Sequence, residues 1–249
     1  MDIPTVKNVP FVDTLQMIEV DRAMIEDYHI TLIQMMENAG RNLANLSRLR
    51  FLDGNPAGKR VIVLAGTGGN GGGGLVAARR LHNYGARVTV YVTAEDERFT
   101  PVPAHQLDIL RRMGVEIIQA EKIKEADIPD LIIDSIIGYS LKGAPRGGAK
   151  ELIEWTNRAH SPILALDAPS GIDTASGQIF DPAIQATATL TLALPKKGFQ
   201  QSNVAQHLGE LYLGDISVPP GLYAKEPLNL VVGTIFSSSD IVRIDMESY

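Results

Sequence analysis

Carboxylates placed directly after apolar runs are the side chains of this sequence best suited to chemistry. Asp134 follows the apolar run 131–133, and Asp167 follows the apolar run 163–166, with Ser170 in the same turn. Carboxylate and hydroxyl oxygens suit a main-group cation, and a carboxylate can also transfer protons. These side chains therefore predict a cation site or an acid/base centre. The alternative is structural, because Asp and Ser also favour helix caps and turns.

Glycine is concentrated in the run 66–74, between the apolar segment 61–65 and an amphipathic stretch. Positions 66, 68 and 71 fit the pattern Gly-x-Gly-x-x-Gly. Glycine lets backbone N–H groups approach a phosphate at a helix N-terminus, so the run predicts a phosphate-facing turn. Asn70 adds a side-chain amide that can reach a ligand or a cation. The competing interpretation is a turn that packs closely on its neighbours.

Two further segments could face an anionic ligand. The loop 138–143 begins and ends with glycine, so its backbone could cover a ligand while Ser140 and Lys142 reach its phosphates. Lys196 and Lys197 follow another apolar run and could balance a polyphosphate. A solvated basic turn is the equally favoured alternative for this lysine pair.

Several common chemistries are excluded or disfavoured. The sequence has no cysteine, which removes disulfides, thiolate zinc sites and cysteine nucleophiles, and its 5 histidines lack metal-binding spacing. No Gly-Lys-Ser/Thr follows the glycine run, and Ser170 does not lie in a Gly-x-Ser-x-Gly elbow. A conventional NAD-dependent oxidoreductase would place its ribose-binding acid at Glu95 or Asp96, but no hydride-transfer constellation accompanies them.

The elements that must position these residues alternate between apolar runs and amphipathic stretches. Strands are predicted at 61–65, 87–93, 115–118, 131–134, 163–166, 188–194, 211–216 and 228–232. Helices are predicted at 72–84, 103–113 and 149–159. Continuous apolar strands separated by helices predict a doubly wound, Rossmann-like α/β fold, a mostly parallel sheet with helices on both faces in three α/β/α layers. Ligands of such sheets bind outside the carboxyl ends of the strands.

The domain organisation is predicted to be simple. A helical segment of about 13–52 precedes a Rossmann-like core of about 60–233, and without a linker we expect one domain over residues 1–249. Asp13 and Thr14 are the capping candidates of the first N-terminal helix, and Thr31 is the candidate of the second. A Met and Leu stripe along the second helix predicts core or dimer packing.

Composition narrows the function classes further. Hydrophobic residues make up 45% and charged residues 21% of the 249 residues, which is typical of a globular protein. The net charge of −6 disfavours non-specific nucleic-acid binding. No signal peptide and no apolar run of about 18 residues is present, so we expect a soluble, cytoplasmic protein without membrane partners.

Together, and in this order, the motifs resemble the NAD(P)HX epimerase family, the YjeF N-terminal domain. The resemblance runs through Gln16-Met17 with Asp21-Arg22, residues 36–40, the glycine run, Asp134 with Gly138, residues 167–173 and residues 195–198. It covers nearly the whole chain, which resembles a stand-alone member without a dehydratase domain.

The resemblance implies an isomerase of nicotinamide nucleotide repair, an NAD(P)H-hydrate epimerase. Its substrates would be hydrated NADH and NADPH, whose R and S epimers at C6 it would interconvert. Epimerisation requires an acid/base group near C6, and we assign that role to Asp167. No organic cofactor is expected, because the nucleotide is the substrate. The resemblance also implies a homodimer and functional coupling to a separate NAD(P)HX dehydratase.

The family's ligand positions carry over residue by residue. One potassium ion per subunit would be bound by Asn70, Asp134 and Ser170. The substrate would contact Gly69, Asn70, Gly71, Gly72, Gly73, Gly138, Tyr139, Ser140, Leu141, Lys142, Gly143, Ala144 and Asp167.

Two positions depart from the family's glycine turn. That turn usually reads Asn-Asn-Gly-Gly-Asp-Gly, whereas Gly69 and Gly73 here replace its first Asn and its Asp. A ligand group that loses such a partner forfeits about 1–3 kcal/mol. The alternative is therefore a catalytically weakened or inactive member that acts as a nucleotide-binding or protein-interaction domain. The joint presence of Asp134, Asp167 and Ser170 favours the enzyme.

Overall fold

One mixed sheet organises the computed structural model, which describes residues 3–246. Its strands are β1 (Thr5–Val6), β2 (Arg60–Ala65), β3 (Arg87–Val92), β4 (Glu116–Gln119), β5 (Leu131–Ser135), β6 (Ile163–Leu166), β7 (Ala188–Leu192), β8 (Glu210–Gly214) and β9 (Ile241–Ile244). The nine strands lie in the order β1-β9-β8-β7-β6-β5-β2-β3-β4. Every neighbouring pair is parallel except β8 and β9, so the predicted mostly parallel sheet is confirmed.

The helices cover both faces of this sheet. They are α1 (Thr14–Glu26), α2 (Leu32–Leu46), α3 (Gly69–Asn83), α4 (Pro101–Arg112), α5 (Gly148–Arg158), α6 (Ala205–Leu208) and α7 (Pro220–Tyr223). Along β2, Val63 packs in one core cluster with Leu75 of α3. The next residue, Leu64, packs in a different cluster with Leu152 of α5. Because successive strand residues point to opposite faces, the sheet is doubly wound, as predicted.

Most of the glycine run lies inside helix α3 and serves close packing. A Cβ atom on Gly72 would lie 2.4 Å from Met36 Sδ of α2, and one on Gly74 would lie 1.8 Å from Ser135 Oγ of β5. These distances are far below van der Waals contact, so α3 approaches its neighbours only because side chains are absent. The close-packing interpretation is therefore confirmed for this part of the run.

The N-terminal segment is held at the carboxyl edge of the sheet. Asp13 caps α1 as predicted, since its carboxylate accepts a 2.9 Å hydrogen bond from the N–H of Gln16. Just before it, the backbone of Val12 donates to the carbonyl of Pro195 and accepts from the N–H of Lys197, both at 2.9 Å. These bonds fix the start of α1 beside the turn that follows β7.

Helix α2 supplies buried side chains to the same region. Thr31 precedes it in a capping box with Gln34, as predicted. Met35 and Leu43, members of the Met and Leu stripe, are 5% and 0% exposed, so this stripe packs within the chain. None of the helices in residues 3–246 has the length and apolar character needed to cross a membrane.

Three sequence-based expectations about elements are wrong. Helix α3 begins at Gly69 rather than at 72, so the glycines form its first turns. Residues 228–232 form no strand. In this segment Leu228 is buried, whereas Val231 is 92% exposed. The edge of β8 pairs instead with β9, which is antiparallel, and this extends the sheet beyond the predicted core of 60–233.

Candidate active site

A cavity of about 210 Å³ lies at the carboxyl ends of the parallel strands, where ligand sites of such sheets are expected. Helices α1 and α2 form one side, and the segments after β5, β6 and β7 form the other. Its apolar wall includes Met17, Met35, Met36, Leu166, Leu192 and Ile216. Its polar lining includes Asp21, Asn70, Tyr139, Ser140 and Asp167.

Asp167 follows β6 directly and points its carboxylate into a dense set of donors. Its backbone has a φ of +64°, a left-handed conformation that is uncommon for a residue with a side chain. Its Oδ2 accepts the backbone N–H of Tyr139 at 3.1 Å, and its Oδ1 accepts the ammonium group of Lys196. The residue is 5% exposed, so this predicted catalytic carboxylate is fixed at the cavity wall.

Lys196 is buried rather than solvated. It is 1% exposed, and besides Asp167 its Nζ donates to Thr191 Oγ1 and to the carbonyl of Leu192, both at 2.9 Å. These bonds use all three ammonium protons, so Lys196 balances the charge of Asp167 instead of facing a phosphate or solvent. Lys197 is exposed and forms an ion pair of 2.9 Å with Asp13.

Asp134 and Ser170 form a second buried pair behind the cavity lining. The Ser170 hydroxyl donates to Asp134 Oδ1 at 2.6 Å, and the Ser170 N–H donates to Oδ2 at 2.8 Å. Within residues 3–246, no basic side chain forms an ion pair with Asp134, which is 0% exposed. Burial raises the pKa of Asp134 to about 6, although the Ser170 bonds act in the opposite direction.

Gly138 brings the acid and the amide of the site together. A Cβ atom on it would lie 3.1 Å from Asp167 Oδ2 and 3.2 Å from Asn70 Oδ1. The Nδ2 atom of Asn70 is buried and has no hydrogen-bond partner within residues 3–246. An unpaired buried donor is costly, so this amide is suited to binding a ligand. The adjacent residue, Ile137, donates its N–H to Ser170 Oγ at 2.9 Å. This bond links the segment that contains Gly138 to the buried Asp134–Ser170 pair.

The predicted substrate residues divide into two sets. Those that line the cavity are Gly69, Asn70, Gly73, Gly138, Tyr139, Ser140 and Asp167. Those outside its lining are Gly71, Gly72, Leu141, Lys142, Gly143 and Ala144. Gly71 and Gly72 are buried, and a Cβ atom on Gly71 would lie 1.8 Å from the carbonyl oxygen of Gly66. Packing therefore excludes side chains at Gly71 and Gly72, and Lys142 is exposed.

One polar residue of the cavity was given no role in the sequence-based assignment. Asp21 of α1 accepts a hydrogen bond of 2.5 Å from the Tyr139 hydroxyl. Burial raises the pKa of Asp21, the Tyr139 bond lowers it, and the charge of Asp167 raises it. The available signal was the position of an acid beside Met17, Val20 and Met24, which form the buried face of α1.

This fold and this cavity define a Rossmann-like α/β protein with an acid-lined ligand site at the carboxyl edge of its sheet. The family model described as YjeF-related protein N-terminus matches residues 32–198. The chain belongs to this family.

Named relatives cover most of the chain. It is 43% identical over 210 residues to an NAD(P)H-hydrate epimerase of Dehalogenimonas lykanthroporepellens, a match covering 84% of this chain and 83% of that protein. It is 37% identical over 225 residues to the bifunctional NAD(P)H-hydrate repair enzyme Nnr of Moorella thermoacetica, covering 88% of this chain and 42% of that protein. The crystal structure of the yeast protein YNL200c superposes with a TM-score of 0.79 at 28% identity, covering 94% of this chain and 100% of that one.

Proposed function

We propose that this protein is an NAD(P)H-hydrate epimerase, an isomerase that interconverts the R and S epimers of hydrated NADH and NADPH. The observation that carries the proposal is the Asp167 carboxylate, fixed by Lys196 at a cavity whose far wall is apolar. The family membership and the named epimerase relatives support the same reaction.

The chemistry required at C6 of the nicotinamide ring suits a positioned carboxylate. The ring nitrogen donates its lone pair as the C6–O bond breaks, which gives an iminium ion. Water can then add to either face of C6 and lose a proton. Asp167 is an acid/base group for these steps, and the Lys196 ammonium holds its carboxylate in place.

The cavity also accounts for how the substrate binds. Helix α3 begins at Gly69, so its first N–H groups and its dipole face an anion at this end of the cavity. The pyrophosphate lies there, near Asn70 and Ser140. The nicotinamide ring lies toward Asp167, against the apolar side chains from α1 and α2.

The residues assigned to potassium fit a monovalent cation. Within residues 3–246, Asp134 is a fully buried carboxylate without a basic partner. Asn70 would bind the ion through its side-chain oxygen, because its unpaired Nδ2 is a donor that cannot bind a cation. The donor set of Asn70, Asp134 and Ser170 consists of hard oxygen ligands. A bound potassium ion would balance the buried charge and anchor the pyrophosphate.

Gly69 and Gly73, which replace the family's Asn and Asp, leave the backbone N–H groups of the glycine run in place. A Cβ atom on Gly69 would meet nothing within 4 Å, and one on Gly73 would lie 2.7 Å from Leu166 Cδ2. Gly73 therefore lets Leu166 occupy the space of the family's Asp side chain. Since Asp167 and Lys196 do not depend on either position, we favour catalysis over the alternative of a nucleotide-binding or protein-interaction domain.

Partners follow from the same reaction. The bifunctional relatives carry the name of a repair enzyme and are longer, since the match covers 42% of the Moorella protein. We propose that this protein supplies the S epimer to an NAD(P)HX dehydratase. We also propose a homodimer, for which the exposed Leu15 and Ile18 of α1 offer an apolar surface. Light scattering that shows a monomer at high protein concentration would rule out the proposed homodimer.

The direct test is turnover of both epimers. The protein is incubated with an R and S mixture of hydrated NADH and an S-specific dehydratase, and the epimers are separated by chromatography. We expect both epimers to disappear with the wild-type protein and the R epimer to persist with Asp167→Asn. If the wild-type protein binds the nucleotide but the R epimer persists, the protein is a nucleotide-binding domain instead.

A further inference from the structure

A second carboxyl group lines the cavity that contains Asp167. Asp21 belongs to α1, whereas Asp167 follows β6, so the two acids come from different walls of the cavity. Tyr139 contacts both of them: its N–H donates to Asp167 Oδ2 at 3.1 Å and its hydroxyl donates to Asp21 Oδ2 at 2.5 Å. Within residues 3–246, Asp21 Oδ1 accepts no hydrogen bond from the protein, so this oxygen is left for a ligand or water.

The two acids have opposite electrostatic surroundings. Asp167 has a buried ammonium counter-ion, Lys196. Within residues 3–246, the hydrogen-bond partner of the Asp21 carboxylate is a phenol, that of Tyr139. Burial raises the pKa of Asp21, the Tyr139 bond lowers it, the charge of Asp167 raises it, and the more distant Lys196 lowers it. The hydroxyl of Tyr223 also lies near Asp21 and is neutral, because burial and the nearby Asp215 and Asp21 charges raise its pKa.

Inversion at C6 requires two proton transfers on opposite faces of one ring. The departing hydroxide must gain a proton on the face that it leaves. The incoming water must lose a proton on the other face. One rigid carboxylate cannot reach both faces of a bound ring, and inverting glycosidases use two carboxyl groups in these complementary roles.

We propose that Asp21 is the second catalytic residue of this site, the proton-transfer partner of Asp167 on the opposite face of the nicotinamide ring. This role rests on the proposed epimerase function. In one direction, the C6–O bond breaks with its electron pair, the leaving oxygen takes the carboxyl proton of Asp21, and the ring nitrogen forms the C=N bond. A water oxygen then bonds to C6 on the other face, the C=N electrons return to nitrogen, and Asp167 takes the released proton. One water leaves and one enters, and exchange with solvent moves the proton from Asp167 back to Asp21 before the next turnover. The reverse direction exchanges the two roles.

The test compares two substitutions at the Asp21–Tyr139 bond. Asp21→Asn keeps the size of the side chain and an oxygen that accepts the Tyr139 hydroxyl, but it has no acidic proton. Tyr139→Phe breaks the same bond and keeps the acid. Glu26→Gln is the matched control, since it makes the same change on α1 at a side chain that is 64% exposed. Steady-state epimerisation is measured for each protein, together with NADH binding and thermal unfolding.

We expect Asp21→Asn to lower kcat by about 100-fold or more, the usual share of a general acid, with NADH binding changed by less than about 3-fold. We expect Tyr139→Phe to lose less than about 10-fold and Glu26→Gln to match the wild type. A formic acid/formate buffer should raise the rate of Asp21→Ala by supplying the missing carboxyl group.

Three results would overturn the role. Asp21→Asn that retains more than about a tenth of the wild-type kcat would remove it, as would Asp21→Ala that does not respond to formate. Equal losses in Tyr139→Phe and Asp21→Asn would show that Asp21 only anchors the loop. In all three cases an active wild-type protein leaves the epimerase function standing, whereas an inactive wild-type protein would remove both proposals.

Discussion

Lys196 and Asp167 form a buried ion pair at the wall of the cavity, with side chains that are 1% and 7% exposed. They are 29 residues apart in the chain, at the ends of the neighbouring strands β7 and β6. Each charge is removed from water, so each depends on the other for compensation. This pair holds the carboxylate that the proposed reaction uses.

Removing the lysine should therefore destabilise the protein strongly. We expect Lys196→Met to lower the free energy of unfolding by about 3–5 kcal/mol, because it leaves the Asp167 charge buried without a partner. The double variant Lys196→Met/Asp167→Asn should recover much of this loss. Urea denaturation of the four proteins of this cycle gives the coupling energy, and a coupling near zero would contradict the buried pair.

Removing the acid should lower activity in a protein that is folded but less stable, because the buried Lys196 ammonium then lacks its counter-ion. We expect Asp167→Asn to lower epimerisation by about 100-fold or more while the protein remains folded. Asn is suited to this position because it tolerates the φ of +64° better than most residues. Chromatographic separation of the two epimers measures the rate, and circular dichroism measures the fold. Full turnover in this variant would end the assignment of Asp167.

Potassium should stabilise the protein in a pH-dependent way. The folded-state pKa of Asp134 is about 6 against an ordinary value of 3.8, so its protonation favours folding. The stability linked to this proton is complete below pH 3.8 and is lost as the pH rises through about 6. A cation offsets that loss only when the carboxylate is ionised.

We therefore expect KCl, compared with choline chloride, to raise the Tm by roughly 3 °C or more at pH 7.5 and by little at pH 5. Asp134→Asn should lose this response because it has no charge to balance. Differential scanning fluorimetry at constant ionic strength makes the comparison. An equal response of the variant and the wild type at pH 7.5 would place the cation elsewhere.

The same substitution at two glycines of α3 should change stability by very different amounts. A Cβ atom on Gly71 would lie 1.8 Å from the carbonyl oxygen of Gly66, which is backbone and cannot rotate away. We expect Gly71→Ala to cost about 3 kcal/mol or to prevent folding. Gly69→Ala, with no atom within 4 Å of the new Cβ, is the matched control and should change stability by less than about 0.5 kcal/mol. Thermal and urea unfolding of both variants test this, and similar losses would contradict the described packing.

The glycine run shows how far local pattern carried the prediction. Its place after strand β2 was correct, but most of the run forms the first turns of α3 rather than a turn before it. Gly69, Asn70 and Gly73 line the cavity. Gly72 and Gly74 serve packing of α3 against α2 and β5, which depends on how closely these elements approach. Local sequence contains the glycines but not the distance between the elements.

The strands at the far end of the sheet show the limit of periodicity. The run 228–232 has the composition of a strand, yet the short segment Ile241–Ile244 pairs with β8 instead. Strand formation at an edge depends on which segment reaches the free backbone groups of its neighbour. That choice depends on the path of the chain rather than on composition.

The sequence by itself determined the α/β class, the parallel strands, and the positions of Asp134 and Asp167 at one edge of the sheet. It could do so because apolar periodicity is local and because the carboxyl ends of parallel strands meet at a common edge. The tertiary structure alone decided that Lys196 compensates Asp167, that Asp134 has no basic partner among residues 3–246, and that Asp21 reaches the cavity from α1. These relationships join residues far apart in the chain, and the packing of complete elements, not local propensity, determines which charges are buried together.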